Sequence, residues 1–482
     1  MIHSVAANPA RVLLLEAPYH YGAAQSLVGA YFPLGVGYLG AYLRQHGCPV
    51  RIFQPPARGG FEPALRRVLA DYDPSLVGIS VMTPSYPEAV HLCEMVKKHS
   101  ACKTVLGGHH VSVEGAEVLN QSPTTDFAAV GEGEQTLLEL AEAVGSGREE
   151  FSSIDGLHWR DANGQVRQNA PRGLIEDLDS LPLPARDMVD MSRYRVHSYI
   201  DFGKRSATMI SSRGCPFRCI FCSSRLTMGN RYRYRSAESV LAEIRSLVAD
   251  YGVDHIVFED DTLTLRRDRM RDICRGMLEL PRRPSWYCLS RVDTLDYPLA
   301  KLMRKAGCRM VNFGIESGSP EILEKIGKRI SLERAVQTIG DCTRAGIRTQ
   351  CTFIVGFPFD TPETLKATFD AARRIKPTIA IFFPLTPYPG TPVFEQFMSP
   401  EQIPKTVSQW RGFLMTGPAG GISVNPGHTA AELRQIASRW NRRFHLRPGQ
   451  LLRLLRTVAG PEEAIRLARS GLYVLSSLFN RA

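Results

Sequence analysis

The chain of 482 residues carries 44% apolar and 22% charged side chains and a formal net charge of +11. This composition is that of a globular protein long enough for about three domains, and it excludes a disordered or fibrous chain. We find no run of about 18 uncharged apolar residues and no leader-like start, so we expect neither a transmembrane helix nor a signal peptide. No nucleic-acid-binding motif accompanies the moderate positive charge, so we expect no nucleic acid partner.

Residues 1–150 alternate apolar strands with amphipathic helices. The strands are carried by RVLLLEAP, VRIFQ, LVGISV, KTVLGG and DFAAVGEGE. Five strands alternating with helices predict an α/β domain with a doubly wound, Rossmann-like parallel sheet. Ligands of such sheets bind beyond the carboxyl ends of the strands. The domain has no G-x-G-x-x-G motif, which argues against a dinucleotide.

The rest of the chain divides into three further segments. Residues 151–200 contain a short strand pair and the Pro-rich stretch DLDSLPLPARDM, which together we interpret as a linker. Residues 201–400 carry six strands, ATMIS, HIVFE, SWYCLS, RMVNFGI, RTQCTFIVG and TIAIFFPL, with helices between them. This alternation predicts a partial (β/α)6 barrel, in which reactive residues follow the strand ends.

Residues 401–482 read as a loop followed by Arg-rich helices. Apolar stretches such as LLRLLRTV with basic flanks predict helices that pack on the barrel and expose a basic face. Peripheral contact with a membrane surface is the alternative interpretation.

Eleven cysteines occur in the chain, and none follows Cys351. Their odd number and scattered spacing predict free thiols and a cytoplasmic location. Three of them, Cys215, Cys219 and Cys222, are crowded into the stretch RGCPFRCIFCSS directly after the first barrel strand. Structural zinc sites use four protein ligands, usually in two pairs. A 4Fe–4S cluster needs one ligand per iron, so three thiolates leave one iron open. Zinc or a purely structural cluster remains the alternative.

The C-x-x-x-C-x-x-C stretch at the end of a first barrel strand resembles the radical S-adenosylmethionine superfamily. The resemblance implies that the three cysteines hold a 4Fe–4S cluster whose open iron chelates the amino and carboxylate groups of S-adenosylmethionine. Reductive cleavage then gives a 5′-deoxyadenosyl radical.

Four other barrel strands end in segments that resemble the strand-end segments of this superfamily, namely FEDDTLT, CLSRVD, FGIESGS and FIVGFPFDT. In the superfamily such segments face the cofactor. Solvated acids, a surface ion pair and ordinary turn chemistry are the alternatives for them. The residues that the resemblance assigns to S-adenosylmethionine are Asp260 or Asp261, Arg291, Glu316, Ser317 and Gly356.

The first domain carries PLGVGYLGAYLRQHG, GISVMTPS, LGGHHVS and VGEGEQT in that order. This series resembles the cobalamin-binding domain of cobalamin-dependent radical S-adenosylmethionine enzymes. The cobalt-ligating motif D-x-H-x-x-G is absent from residues 1–150, so the resemblance implies a loop contact for the two histidines, with cobalt ligation as the alternative. The residues assigned to cobalamin are Ser80, Thr83, Gly107, Gly108, His109, His110, Gly131, Glu132 and Gly133.

The resemblance implies an enzyme that methylates an unactivated carbon of a small-molecule or lipid-like substrate. One S-adenosylmethionine would methylate cobalamin, and a second would supply the radical. An electron donor such as flavodoxin or ferredoxin would be needed. Radical cyclisation or ring rearrangement without net methyl transfer is the alternative reaction. A non-catalytic cobalamin or redox sensor is a more remote one, because a sensor does not need the strand-end motifs.

Overall fold

The computed structural model describes residues 9–18, 30–56, 60–197, 199–413, 421–455 and 457. Two large sheets of mostly parallel strands dominate the fold, and helices flank both. The predicted α/β class with two successive domains is confirmed.

The first sheet contains β1 (Val12–Glu16), β2 (Val50–Ile52), β3 (Leu76–Ser80), β4 (Lys103–Gly107) and β5 (Phe127–Ala129). These strands run parallel in the order β2-β1-β3-β4-β5. Helices α1 (Leu34–Gln45) and α5 (Glu134–Gly145) cover one face, and α2 (Phe61–Tyr72), α3 (Tyr86–His99) and α4 (Val111–Gln121) cover the other. The carboxyl ends of all five strands therefore meet at one edge.

The strand pair that we assigned to the linker belongs to this sheet. Strands β6 (Leu157–Arg160) and β7 (Val166–Gln168) run antiparallel and extend the sheet beyond β5 to seven strands. Leu157 and Trp159 lie on the same side of β6, since side chains alternate along a strand, and both are buried in the domain core. The first sheet thus extends past residue 150.

The second sheet is a partial barrel of six parallel strands. They pair in chain order and are β8 (Ser206–Met209), β11 (His255–Phe258), β12 (Ser285–Ser290), β13 (Cys308–Glu316), β14 (Arg348–Val355) and β15 (Ile379–Pro384). Its longer outer helices are α7 (Ala237–Ala249), α8 (Arg267–Leu278), α9 (Tyr297–Lys305), α11 (Leu332–Arg344) and α12 (Pro362–Ile375). Two short helices, α10 (Pro320–Lys325) and α13 (Pro392–Phe397), follow strand ends. The predicted (β/α)6 arrangement is confirmed.

The three-cysteine stretch follows the first barrel strand and lies in the loop of a hairpin. Strand β9 (Ser212–Arg213) pairs antiparallel with β10 (Arg233–Tyr234), and the loop between them contains α6 (Ser224–Met228). Gly214 has a φ of 82°, and a Cβ there would lie 2.2 Å from the carbonyl oxygen of Arg231. Only glycine fits this close backbone approach, so the cysteine loop begins at a fixed point.

In the described part of the chain after the barrel, the two α-helices beyond α13 are α14 (Ala430–His445) and α15 (Pro448–Leu455). Leu433, Ala437 and Phe444 of α14 are buried against the outer core of the barrel, as the sequence predicts for this region. The apolar stretch LYVLSSLF lies outside the described residues. No helix in the described part of the chain is long and apolar enough to cross a membrane.

Candidate functional site

A cavity of about 500 Å³ lies between the carboxyl ends of the two sheets. Residues from both domains line it, including Ser80 and Gly107 from the first sheet and Ile210 and Cys222 from the barrel. Both the doubly wound sheet and the barrel are folds that bind ligands at this end of their strands. Residues predicted for cobalamin therefore line the same space as Cys222 and Asp261, whereas Arg291 and Glu316 do not line it.

Most residues of the predicted cobalamin set face this cavity. Those that line it are Ser80, Gly107, Gly108, His109, Gly131, Glu132 and Gly133. Gly131 has a φ of 83°, and no atom lies within 4 Å of the place that a Cβ would occupy. A side chain there would project into open space, so this loop suits the approach of a flat macrocycle.

Thr83 and His110 do not line the cavity in this structure. Thr83 is buried in the short helical turn before α3. The ring of His110 packs against Tyr86 and Trp410, with centroids 4.4 and 4.7 Å apart. Burial lowers the pKa of His110 to about 3. This histidine is therefore a neutral core residue behind the loop, whereas His109 faces the cavity.

The three cysteines of the loop are free thiols, and they are close enough to influence one another electrostatically. Cys215 and Cys222 are half-buried, and Cys219 is 8% exposed. Burial raises the pKa of Cys222 to about 12, and Asp261 and the other two thiols act in the same direction. The thiols would therefore have to lose their protons when a metal binds.

No three Cys, His, Asp or Glu side chains in the described ranges form a group that could hold a metal ion as they stand. A 4Fe–4S cluster is ligated at separate irons, so its thiolates need not converge on one point. The free, adjacent thiols fit that ligand pattern, and Cys222 also lines the cavity.

Positive side chains lie against the cysteine loop. Lys328 donates a hydrogen bond of 2.9 Å to Glu316, and this buried pair lies beside Cys219. Burial raises the pKa of Cys219, and the charges of Lys328 and Arg291 oppose that shift. The Arg291 guanidinium lies 3.5 Å from the ring centroid of Phe217, a residue of the loop. These cations would also offset the negative charge of a thiolate-bound cluster.

The two candidate acids after β11 have different surroundings. Asp260 is fully buried and accepts hydrogen bonds from the N–H of Ser211, at 3.1 Å, and from the hydroxyl groups of Ser211 and Ser212. Asp261 lines the cavity and accepts a hydrogen bond from the hydroxyl group of Ser224. Asp260 thus holds the start of the cysteine hairpin, and Asp261 faces the open space.

Ser317 and Gly356 do not line the cavity. The Ser317 hydroxyl lies 3.2 Å from the hydroxyl group of Thr368 on α12. Gly356 has a φ of 91°, and a Cβ there would lie 2.3 Å from a methyl carbon of Leu433 on α14. Helix packing and backbone conformation are therefore sufficient reasons for this glycine, and its contact with an adenine stays a prediction.

Three charged residues near the cavity, Arg213, Glu134 and Arg233, were not singled out from the sequence. Arg213 forms ion pairs with Glu132 and Glu134, at 2.7 and 2.6 Å, and Arg233 pairs with Glu132 at 2.7 Å. Burial alone would lower the pKa of Arg213, but the two carboxylates outweigh it and raise that pKa. The available signals were the Arg directly before Gly214-Cys215 and the acids of VGEGEQT.

Glu259 is a further residue that sequence reasoning missed. It follows β11 and lines the cavity. Burial, reinforced by the charge of Asp260, raises the pKa of Glu259 to about 7. The cavity therefore contains a carboxyl group that can hold or release a proton near neutral pH.

Comparison with known proteins agrees with this geometry. Residues 209–372 match the family model of the Radical SAM superfamily, and residues 22–141 match that of the B12 binding domain. An uncharacterized methyltransferase of Pyrococcus horikoshii is 33% identical over 443 residues, which cover 92% of this chain and 94% of that protein. The chain belongs to the cobalamin-dependent radical S-adenosylmethionine family. It is a radical enzyme whose cofactors are a 4Fe–4S cluster, S-adenosylmethionine and cobalamin.

Two further proteins are similar to this chain. The anaerobic magnesium-protoporphyrin IX monomethyl ester cyclase of Rubrivivax gelatinosus is 31% identical over 395 residues, 80% of this chain and 70% of that protein. The solved structure of the methyltransferase TsrM from Kitasatospora setae, with cobalamin and a 4Fe–4S cluster bound, has a TM-score of 0.66 and 21% identity. That match covers 94% of this chain and 90% of the TsrM chain, so the radical enzyme shares its fold.

Proposed function

We propose that the enzyme transfers a methyl group from S-adenosylmethionine to an unactivated carbon of a small-molecule or lipid-like substrate in the cavity between its sheets. The observation that carries this proposal is that Cys222 and Ser223 line the same cavity as Gly107 and Gly131. A substrate carbon there would lie within reach of both cofactor sites, as radical formation followed by methyl delivery requires. The Pyrococcus relative, which is named a methyltransferase and matches this chain over nearly its whole length, supports the same reaction.

When bound, the cofactors supply the adenosyl radical and the methyl group. The chain would hold the cluster with Cys215, Cys219 and Cys222. Asp261 would accept a hydrogen bond from the ammonium group of S-adenosylmethionine, because it is the one of the two candidate residues Asp260 and Asp261 that lines the cavity. The proposal keeps the other residues assigned to S-adenosylmethionine, which are Asp260, Arg291, Glu316, Ser317 and Gly356. It also keeps the residues assigned to cobalamin, which are Ser80, Thr83, His109, His110 and Glu132 together with the glycines of their loops.

Glu259 suits a role on the substrate side of this cavity. Its carboxyl group lies at the end of the barrel strand next to the cysteine hairpin, and none of the predicted cofactor contacts uses it. In its protonated form it donates a hydrogen bond to a polar group of the substrate, and in its ionised form it accepts one.

The proposal extends to the partner, the location and the domains of the enzyme. A flavodoxin- or ferredoxin-type protein would supply electrons to the cluster.

All eleven cysteines are free thiols, which supports a location of the enzyme in the reducing cytoplasm. We propose a cobalamin domain over 1–150, a linker over 151–200, a barrel over 201–400 and a helical region over 401–482, with the qualification that β6 and β7 pair with the first sheet.

A second candidate function is supported by the Rubrivivax relative, which is named a cyclase. In that case the same cavity would hold a substrate that undergoes radical cyclisation or rearrangement without net methyl transfer. The fold and the cofactor sites serve both reactions equally well, so the distinction needs an experiment.

The experiment uses the full chain, reconstituted under anaerobic conditions with iron, sulfide and cobalamin. Reductant and methyl-labelled S-adenosylmethionine are added, and the label on the corrin and the release of 5′-deoxyadenosine are followed. Methyl transfer predicts both signals. Deoxyadenosine without corrin label favours cyclisation, and a loaded protein that gives neither signal contradicts a radical enzyme. Cys222→Ala is expected to lose deoxyadenosine formation, whereas Cys274→Ala, at a buried thiol of α8, is expected to keep it.

A further inference from the structure

Four buried charged residues join the cobalamin domain to the cysteine hairpin, and we call them the inter-domain bridge: Glu132, Glu134, Arg213 and Arg233. Both oxygens of Glu132 are occupied, one by Arg213 and the other by Arg233 and the N–H of Ile175. Glu134 holds the second arm of the Arg213 guanidinium. The side chains of Glu132, Glu134 and Arg213 are 2%, 5% and 7% exposed, so water does not compete for these contacts.

We propose that the inter-domain bridge is a positioning device that sets the separation and orientation of the corrin relative to the iron–sulfur cluster. Its two ends lie next to the two cofactor sites. Glu132 sits between Gly131 and Gly133, which line the cavity, and Arg213 stands two residues before Cys215. The inference rests on the proposed function in requiring cobalamin and the cluster at these two loops.

The hairpin is built so that a shift at Arg213 reaches the cysteines. Arg213 and Arg233 are direct partners across the β9–β10 pair, so both project to Glu132. The next residue, Gly214, is in close contact with the backbone of Arg231 and Met228. This packing restricts movement of the backbone between Arg213 and the cysteines. Tyr38 of α1 lines the cavity, and its ring centroid lies 5.3 Å from the Arg213 guanidinium.

Stability alone does not account for these charges. Burying ion pairs carries a desolvation cost, and apolar replacements of similar volume often stabilise a protein equally well or better. What the fork of an arginine adds is a fixed direction, because its two arms donate to separate carboxylates in one plane. A bridge of this kind orients two domains, whereas an apolar contact would allow them to slide.

The test compares wild type with Glu134→Gln and Arg213→Lys in the full chain loaded with cobalamin and cluster. Glu134→Gln removes one carboxylate and leaves the Glu132–Arg213 pair. Arg213→Lys keeps the positive charge but loses the fork. Iron and corrin contents are measured first. Reduction then produces cob(II)alamin and the reduced cluster, both of which are paramagnetic. The microwave power saturation of the cob(II)alamin EPR signal reports the distance between them, because dipolar relaxation falls steeply with distance.

We expect the cluster to accelerate cob(II)alamin relaxation in wild type and to do so less in both variants at unchanged cofactor content. Glu139→Gln is the control, since Glu139 lies on α5 like Glu134 but pairs with Arg172 and not with a residue of the hairpin. If Arg213→Lys fails to fold, Glu134→Gln decides.

Wild-type relaxation in the loaded variants, or an equal change in Glu139→Gln, would overturn the inference even if the melting temperature falls. A wild-type protein that takes up no corrin would overturn the proposed function, and the inference with it.

Discussion

The ammonium group of Lys328 lies 2.9 Å from the carboxylate of Glu316, and both side chains are less than a tenth exposed. Glu316 ends β13 in a left-handed conformation with a φ of 68°, which is unfavourable for a residue with a side chain. Burial alone would lower the pKa of Lys328, but Glu316 and the neighbouring Cys219 outweigh it and raise that pKa. Lys328 is therefore charged, and its contact with Glu316 holds a strained strand end beside the cysteine loop.

Lys328→Met is expected to lower the free energy of unfolding by about 3–5 kcal/mol, because it leaves the buried Glu316 carboxylate without its partner. The iron content after reconstitution should fall as well, since the pair lies against Cys219. Thermal or denaturant unfolding and iron analysis measure both effects. The double variant Glu316→Gln with Lys328→Met should recover part of the lost stability.

Lys325→Met is the control for this prediction. Lys325 is half-exposed on α10 and pairs with Glu321 at 2.7 Å. Exposed pairs of this kind contribute roughly 0.2–1 kcal/mol. A Lys328→Met protein that is as stable as Lys325→Met would contradict the structural role of the pair.

The two acids after β11 are separated by their expected phenotypes. Asp260→Asn removes an acceptor of hydrogen bonds from Ser211 and Ser212, so we expect a loss of about 1–3 kcal/mol in stability. Asp261→Asn should leave stability nearly unchanged and weaken binding of S-adenosylmethionine, because Asp261 faces the cavity. Melting temperature and equilibrium binding of S-adenosylmethionine to the reconstituted protein distinguish them. The reverse pattern would assign the cofactor contact to Asp260.

The fold was readable from the sequence because its strands are short apolar runs and its helices are amphipathic. On α7, Val240, Leu241, Ile244 and Leu247 are buried on one face of the helix, and the Ser236 hydroxyl accepts a hydrogen bond from the N–H of Ser239 at 3.1 Å. These features depend on neighbours within a few residues of each other. The cysteine loop was readable for the same reason, since its three ligands lie in one stretch.

What the sequence could not show is which distant residues meet. Glu132 and Arg213 are 81 residues apart, and nothing in the local pattern of either one indicates the other. The same limit explains β6, whose edge pairing with β5 depends on where the chain returns after α5. It also explains Gly356, whose neighbour Leu433 comes from a helix much later in the chain.

Two glycines of the cavity should respond differently to alanine. Gly108 has a φ of 101°, and a Cβ there would lie 2.8 Å from the carbonyl oxygen of Val81. Gly108→Ala should therefore cost at least about 1–2 kcal/mol in stability. Gly133 has an ordinary φ of −92°, and its Cβ would lie 3.4 Å from Leu39, another residue of the cavity lining.

Gly133→Ala should thus fold almost as well as wild type and bind cobalamin more weakly, because the added methyl group narrows the cavity. Chemical denaturation and the corrin absorbance retained after gel filtration separate the two effects. If Gly133→Ala binds cobalamin as tightly as wild type, this loop does not approach the corrin.

His110 should make the stability of the protein depend on pH. Its pKa is about 3 in the folded chain, against 6.5 for an unburied histidine, so between these values the unfolded chain binds a proton that the folded chain does not. Stability therefore falls as the pH decreases below 6.5, by at most about 1.4 kcal/mol per pH unit. Its neighbours Tyr86 and Trp410 carry no charge that would favour the imidazolium form.

His110→Phe keeps an aromatic ring in this position and removes the titration, so its unfolding free energy should change less steeply between pH 6.5 and 5. Part of the slope should persist, because burial also lowers the pKa of His255 to about 4. His91→Gln is the control, since His91 is exposed on α3 and its loss should leave the slope as in wild type. Denaturant titrations at several pH values measure these slopes. Equal slopes for wild type and His110→Phe would show that His110 is solvated, and its place in the core of the cobalamin domain would then be wrong.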